Sequence, residues 1–231
     1  MSTIEEKIAK VRTRIREAAQ GVGREPASVG LLAVSKTQPA EAVRAAHACG
    51  QRDFGENYLQ EALAKQAELA DLPLCWHFIG PIQSNKTKAI AEHFAWVHSV
   101  DRLKIAQRLA EQRPAELPPL NVCLQVNVSG EASKSGCAPQ DLPALAAAVA
   151  QLPGLKLRGL MAIPEPTDDP AEQRAAFARL REWQARLPFQ LDTLSMGMSH
   201  DLESAIAEGA TWVRIGTALF GARDYSGVRP S

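Results

Sequence analysis

The chain has 231 residues, of which 45% are apolar and 23% charged, with Lys plus Arg and Asp plus Glu both at 26. That composition suits one globular domain over 1–231 with an ample core, and the even charge gives no reason to expect nucleic acid or a membrane as partner. The four cysteines, Cys49, Cys75, Cys123 and Cys137, contain no CxxC pair and have neither zinc-site nor disulfide-framework spacing, so no metal is expected and a reducing compartment is.

The opening residues hold no apolar signal core and no run approaches a membrane span, so the expected location is the cytoplasm. Residues 3–19 place Ile4, Ile8, Val11, Ile15 and Ala18 on one face, which predicts an amphipathic helix. Thr3 and Glu6 stand at capping-box spacing at its start. Beyond Pro26 the short run Val29–Ser35, rich in branched residues, predicts a strand. Further strands are predicted at Asp53–Gly55, Cys75–Gly80, Trp96–Val100, Asn121–Val128, Lys156–Met161, Thr193–Met196 and Trp212–Ile215. Helices are predicted between them at 39–48, 57–70, 84–92, 101–112, 140–151, 171–186 and 199–208. The tail Asp224–Ser231 reads as frayed.

Short strands alternating with helices mean βα units and a mostly parallel α/β sheet. Eight such strands can close as a single (β/α)8 TIM barrel; an open Rossmann-like sheet is the competitor. The loop after the first strand, Lys36-Thr37-Gln38-Pro39, has no glycine, and no P-loop motif occurs, so nucleotide fingerprints are missing. The glycine-bearing loops instead follow the last two strands, where barrels commonly hold phosphate.

Lys36 ends the first strand, at the end where barrels place their sites. Burial there would favour the neutral amine that a Schiff base needs, although a lysine in such a loop can equally reach solvent. Ser199, in Ser195-Met196-Gly197-Met198-Ser199, reads as a helix cap whose free N–H groups would also hold an anion. Gly216 and Thr217 follow the eighth strand and offer close backbone approach and a hydroxyl. Arg214 either points outward to the helices or contacts a ligand, and alternation puts it on the same side as Gly216, which favours the ligand. Asn57, His77 and Met161 sit at or near strand ends, with a core histidine and a core methionine as the plain alternatives. Lys86 opens a predicted helix, and Asn127, Ser129, Glu131 and Lys134 form a polar cluster after the fifth strand.

Several long motifs, in fixed order along nearly the whole chain, resemble the YggS/PROSC family of pyridoxal phosphate homeostasis proteins. They include Ala33-Val34-Ser35-Lys36-Thr37, Phe54-Gly55-Glu56-Asn57-Tyr58, Trp76-His77-Phe78-Ile79-Gly80, Arg158-Gly159-Leu160-Met161 and Val213-Arg214-Ile215-Gly216-Thr217. The resemblance implies the barrel of fold-type III pyridoxal phosphate enzymes, like the N-terminal domain of alanine racemase. It implies Lys36 as the Schiff-base lysine, Ser199, Gly216 and Thr217 at the phosphate, Arg214 near the pyridine nitrogen, and Asn57, His77 and Met161 around the cofactor. It also implies a monomeric carrier of pyridoxal 5'-phosphate without established turnover, with amino acids and recipient apoenzymes as partners. An amino-acid racemase is the alternative, with His77 as the candidate second proton-transfer group.

Overall fold

The computed structural model describes residues 3–130 and 135–221, so Glu131 and Lys134 of the polar cluster and the tail Asp224–Ser231 lie outside the described residues. In chain order the elements begin with α1 (Ile4–Gly21), β1 (Gly30–Val34), α2 (Ala40–Ala48), β2 (Asp53–Glu56), α3 (Leu59–Glu68) and β3 (Cys75–Phe78). They continue with α4 (Thr87–His93), β4 (Trp96–Val100), α5 (Leu103–Gln112), β5 (Leu120–Gln125), α6 (Leu142–Ala150) and β6 (Leu155–Met161). The last are α7 (Pro170–Ala185), β7 (Thr193–Ser195), α8 (Leu202–Ala207), β8 (Trp212–Ile215) and the single turn α9 (Thr217–Phe220). The strands pair in sequence order, and β1 also pairs in parallel with β8, closing the barrel and excluding the open sheet.

Alternation along the strands divides the apolar residues into two populations. Leu31, Ala33, Phe54, Trp76, Phe78, Val97, Val122, Leu124, Leu160, Val213 and Ile215 face the helices and belong to the main core. Leu32 and Val34 pack with Ile79 in a separate cluster, and Trp96, Cys123 and Met161 form another, both inside the barrel. Between them lie His77, His98, Ser195 and Arg214, all 4% exposed or less. An interior this polar persists only if its groups bond one another.

The capping box forms at the start of α1, with Glu6 N–H donating to Thr3 Oγ1 and Thr3 N–H to Glu6 Oε2. Ile8, Val11 and Ile15 of this helix are buried, each worth about 1.5–3 kcal/mol relative to exposure. The helix packs against α8 and α9.

Two boundaries differ from the sequence expectation for local reasons. Strand β5 stops at Gln125, and the next residue, Val126, instead bridges Cys137 of the returning segment. The helix expected from residue 199 starts at Leu202, because Asp201 occupies the capping position and its carboxylate accepts from Met198 N–H. Ser199 therefore does not cap α8 and belongs to the turn before it.

Candidate functional site

A cavity of about 290 Å³ opens at the C-terminal end of the barrel. Lys36, Asn57, Ser199, Arg214, Gly216 and Thr217 all line it, together with Val34, Ile79, Ile163, Met198 and His200. These residues are scattered over the sequence. They meet because all but Arg214, which reaches up from inside β8, stand at or just beyond the upper end of a strand.

Lys36 is half-buried and held by a charged clamp beneath its backbone. Lys65 of α3 donates from Nζ to Ser35 O at 2.7 Å, Glu56 Oε1 at 2.5 Å and Glu61 Oε1 at 2.8 Å. Ser35 Oγ donates to Glu56 Oε1 at 2.6 Å, and Thr37 N–H donates to Glu61 Oε1 at 2.6 Å. The clamp thus grips the residues on both sides of Lys36. It also holds Thr37 at φ 63°, a left-handed conformation costing about 1–2 kcal/mol outside glycine. Burial pushes the Glu56 carboxyl up, while the Lys65 ammonium and the Ser35 hydroxyl pull it back.

The opposite wall is shaped by the loops after β7 and β8. Gly197 has φ 95°, and a Cβ there would stand 2.5 Å from Ala205 Cβ, so only glycine fits this turn. Arg14 of α1 donates to Ser199 O at 3.1 Å and pairs with Glu203, tying this loop to the outer helices. Gly216 opens α9, and a Cβ there would stand 3.4 Å from Val34 O. Asn57 presents a buried Oδ1 without a hydrogen-bond partner. A second cavity of about 460 Å³ shares Asn57, Ile79 and Ile163 with the first and extends to Gln125 and Pro164.

Arg214 rises from the interior of β8 into the floor of the first cavity. It donates from Nη2 to Ala162 O at 3.0 Å and from Nη1 to Ser195 Oγ at 2.9 Å. Its burial lowers the guanidinium to about 10, with Asp201 pulling the other way. A chain of hydrogen bonds continues downward from Ser195: its Oγ meets His98 Nδ1 at 2.7 Å, and His98 Nε2 meets His77 Nδ1 at 2.9 Å. His77 Nε2 then meets Asp53 Oδ1 at 3.1 Å. Burial lowers both imidazoles, His98 well below the usual histidine range, with His77 and Arg214 adding to its shift. Asp53 partly offsets the effect at His77.

Two residues expected around the ligand do not line the cavity. His77 is fully buried in the barrel interior, stacked on Trp96 at 5.5 Å between ring centroids, because it stands lower in β3 than the strand's end. It does not face Lys36, so the racemase alternative loses its candidate second base. Met161 is likewise fully buried and packs with Trp96 and Cys123. Lys86 immediately precedes α4 and does not line the cavity. Met198 and His200 were legible as neighbours of Ser199 in one strand-end loop. Ile163 gave no such signal, since only the closure of β6 against β7 brings it to the rim.

A closed parallel barrel with a lysine ending β1, an arginine inside β8 and two small-residue loops beyond the last strands belongs to the alanine racemase barrel class. Residues 7–224 match the family described as alanine racemase, N-terminal domain. A pyridoxal phosphate homeostasis protein of Pseudomonas aeruginosa is 82% identical over 225 residues, covering 97% of this chain and 98% of that protein. Its namesake in Escherichia coli is 55% identical over 236 residues, covering 98% and 99%. The solved structure of PipY from Synechococcus elongatus with PLP bound is 45% identical, with a TM-score of 0.84, covering 95% of this chain and all 100% of that one. Alanine racemase from Corynebacterium glutamicum shares only the fold, at 18% identity and a TM-score of 0.66 over 95% of this chain and 63% of that one. The chain belongs to the YggS/PROSC family of pyridoxal phosphate homeostasis proteins.

Proposed function

We propose that this chain binds pyridoxal 5'-phosphate reversibly in the upper cavity and stores it for release, without turning over a substrate. The observation that carries this reading is the convergence of Lys36, Arg214, Ser199, Gly216 and Thr217 on one cavity. Lys36 would offer its amine, and Ser199, Gly216 and Thr217 would hold the phosphate with hydroxyls and close backbone. Asn57 would stand beside the ring, and its unpartnered Oδ1 would accept from a bound donor. When bound, the cofactor supplies an aldehyde carbon to the amine and a ring that can accept electrons. Arg214 would disfavour a proton on the ring nitrogen by like-charge repulsion and so weaken that electron sink, an arrangement compatible with holding the cofactor.

The names of the 82% and 55% identical relatives support storage. So does His77, which is engaged in the barrel core and unavailable as a second base. The adjoining cavity gives an amino acid or another amine room to approach Lys36 and free the cofactor. Delivery to apoenzymes, action as a monomer and a cytoplasmic location are parts of the same proposal. Among the described residues no helix is long and apolar enough to cross a membrane.

Borohydride reduction of the cofactor-loaded protein, followed by peptide mapping, tests the assignment. A label on Lys36 that disappears in Lys36→Ala is the expected result; a label on another lysine sinks it. Delivery is tested by comparing transfer to an apoenzyme with release into a trapping solution, where equal rates leave only passive buffering.

A further inference from the structure

We propose that Asp53, Cys75 and His77 form a binding site for a divalent metal ion of the zinc class at the lower end of the barrel, remote from the upper cavity. The site follows from strand geometry. Asp53 and Cys75 are paired residues at the starts of β2 and β3. His77 lies two residues beyond Cys75 in the same strand and so points to the same face. Their ligand atoms converge within 4.8 Å of one another.

The separations suit tetrahedral coordination. Metal–ligand bonds of about 2.3 Å to sulfur and about 2.0–2.1 Å to nitrogen or oxygen imply edges of about 3.5 Å for S–N and about 3.3 Å for N–O. Here Cys75 Sγ stands 3.5 Å from His77 Nε2, and His77 Nε2 stands 3.1 Å from Asp53 Oδ1. The edges therefore need almost no rearrangement. The set of one thiolate, one imidazole and one carboxylate selects a borderline-soft ion over magnesium or calcium.

The imidazole is already fixed. Trp96 stacks on it and Trp212 meets it edge-on at 5.2 Å, while Nδ1 is bonded to His98 as a ligand's second nitrogen should be. Asp53 also lines a cleft of about 400 Å³ open at the barrel's lower end, which gives an entry path and room for water as the fourth ligand. Arg12, Arg16 and Arg52 line the same cleft, which disfavours a loosely held cation and leaves only an ion bound by direct coordination. Binding displaces both the Cys75 thiol proton and the His77 Nε2 proton; as the two imidazoles change tautomer the relay takes one proton back at Ser195, so the net release to solvent is one proton.

Coordination also fixes the direction of the buried relay. With no cation, His77 Nε2–H donates to Asp53, His98 Nε2–H donates to His77 Nδ1, and Ser195 O–H donates to His98 Nδ1. A metal on His77 Nε2 requires the reverse: His77 Nδ1–H donates to His98 Nε2, and His98 Nδ1–H donates to Ser195 Oγ. Both imidazoles thus change tautomer together.

Cobalt(II) titration of the full chain tests the site with a spectroscopic readout. The expected result is a saturable thiolate-to-cobalt charge-transfer band with tetrahedral d–d absorption. Cys75→Ser should remove the charge-transfer band, Asp53→Asn should weaken binding at least tenfold, and Cys49→Ser should change neither. Nitrogen-15 NMR with zinc(II) should show His77 and His98 exchanging tautomers. No band, a band surviving Cys75→Ser, a band lost in Cys49→Ser, or unchanged tautomers at saturating zinc would each overturn the proposal.

Discussion

Replacing Lys65 with methionine tests whether the clamp beneath Lys36 is an electrostatic unit. The Lys65 side chain is 5% exposed and that of Glu56 0%, so neither charge has solvent to fall back on. Lys65→Met removes three donated bonds at once and strands the Glu56 carboxylate. Removing one member of such a buried pair costs about 3–5 kcal/mol. Taking both charges away in Glu56→Leu/Lys65→Met leaves chiefly the Ser35 hydroxyl short of a partner, at about 1–3 kcal/mol, while the Ser35 carbonyl keeps its bond from Gln38 N–H. The double variant should therefore be more stable than the single one. Urea unfolding at neutral pH measures both.

The pH dependence of the single variant has a definite sign. The Glu56 carboxyl is already raised by burial, and losing Lys65 raises it further. The folded state then binds a proton more tightly than the unfolded state, so the deficit should shrink as pH falls from 7 toward 5. A single-variant cost under about 1 kcal/mol, or a double variant at the sum of the two single losses, would refute the reasoning.

Other consequences are measurable with similar means. Both buried imidazoles are lowered, so the unfolded chain takes up protons first as pH drops below about 6.5, and stability should fall by up to about 1.4 kcal/mol per pH unit for each histidine; His98→Gln should reduce that slope, and a flat urea midpoint between pH 7 and 5 would contradict it. Gly159→Ala would put a Cβ 1.7 Å from Thr193 O, a backbone clash between β6 and β7, and should lower stability by at least about 1–3 kcal/mol in thermal unfolding. Arg214→Lys keeps the charge but loses the fork that reaches both Ser195 and Ala162, and should cost about 1.5–3 kcal/mol together with weaker cofactor retention in equilibrium dialysis.

The barrel was legible because its signals are local: apolar strand runs, intervening helical periodicity and glycine-bearing loops late in the chain. Even β2, only four residues long, could be placed from the rhythm of its neighbours. The side of Arg214 followed from alternation alone. Depth along a strand was not legible in the same way. His77 and Phe78 are consecutive, and nothing in Trp76-His77-Phe78 tells that the histidine stops a layer below the cavity. Ser199 has the residue type of a cap, but Asp201, two residues on, takes the capping position of the same turn and accepts from Met198 N–H. The buried clamp was hidden for another reason: Ser35, Glu56 and Lys65 are brought together by pairing β1 with β2 and laying α3 over them. The cluster of Asp53, Cys75 and His77 likewise defeats a rule based on cysteine spacing, since Asp53 lies 22 positions from its cross-strand partner Cys75.

Trp96 and Trp212 meet edge-to-face at 6.2 Å across the lower barrel with His77 wedged against both, and a Cβ on Gly30 would lie 2.4 Å from the Trp212 ring. Among the described residues this aromatic stopper closes the lower end of the barrel interior. Under the storage proposal, whatever occupies the upper cavity would arrive and depart at the upper end, so a docked recipient would also block the way in. Loading and delivery would then be alternating events, and an excess of recipient should slow refilling as surely as it speeds discharge.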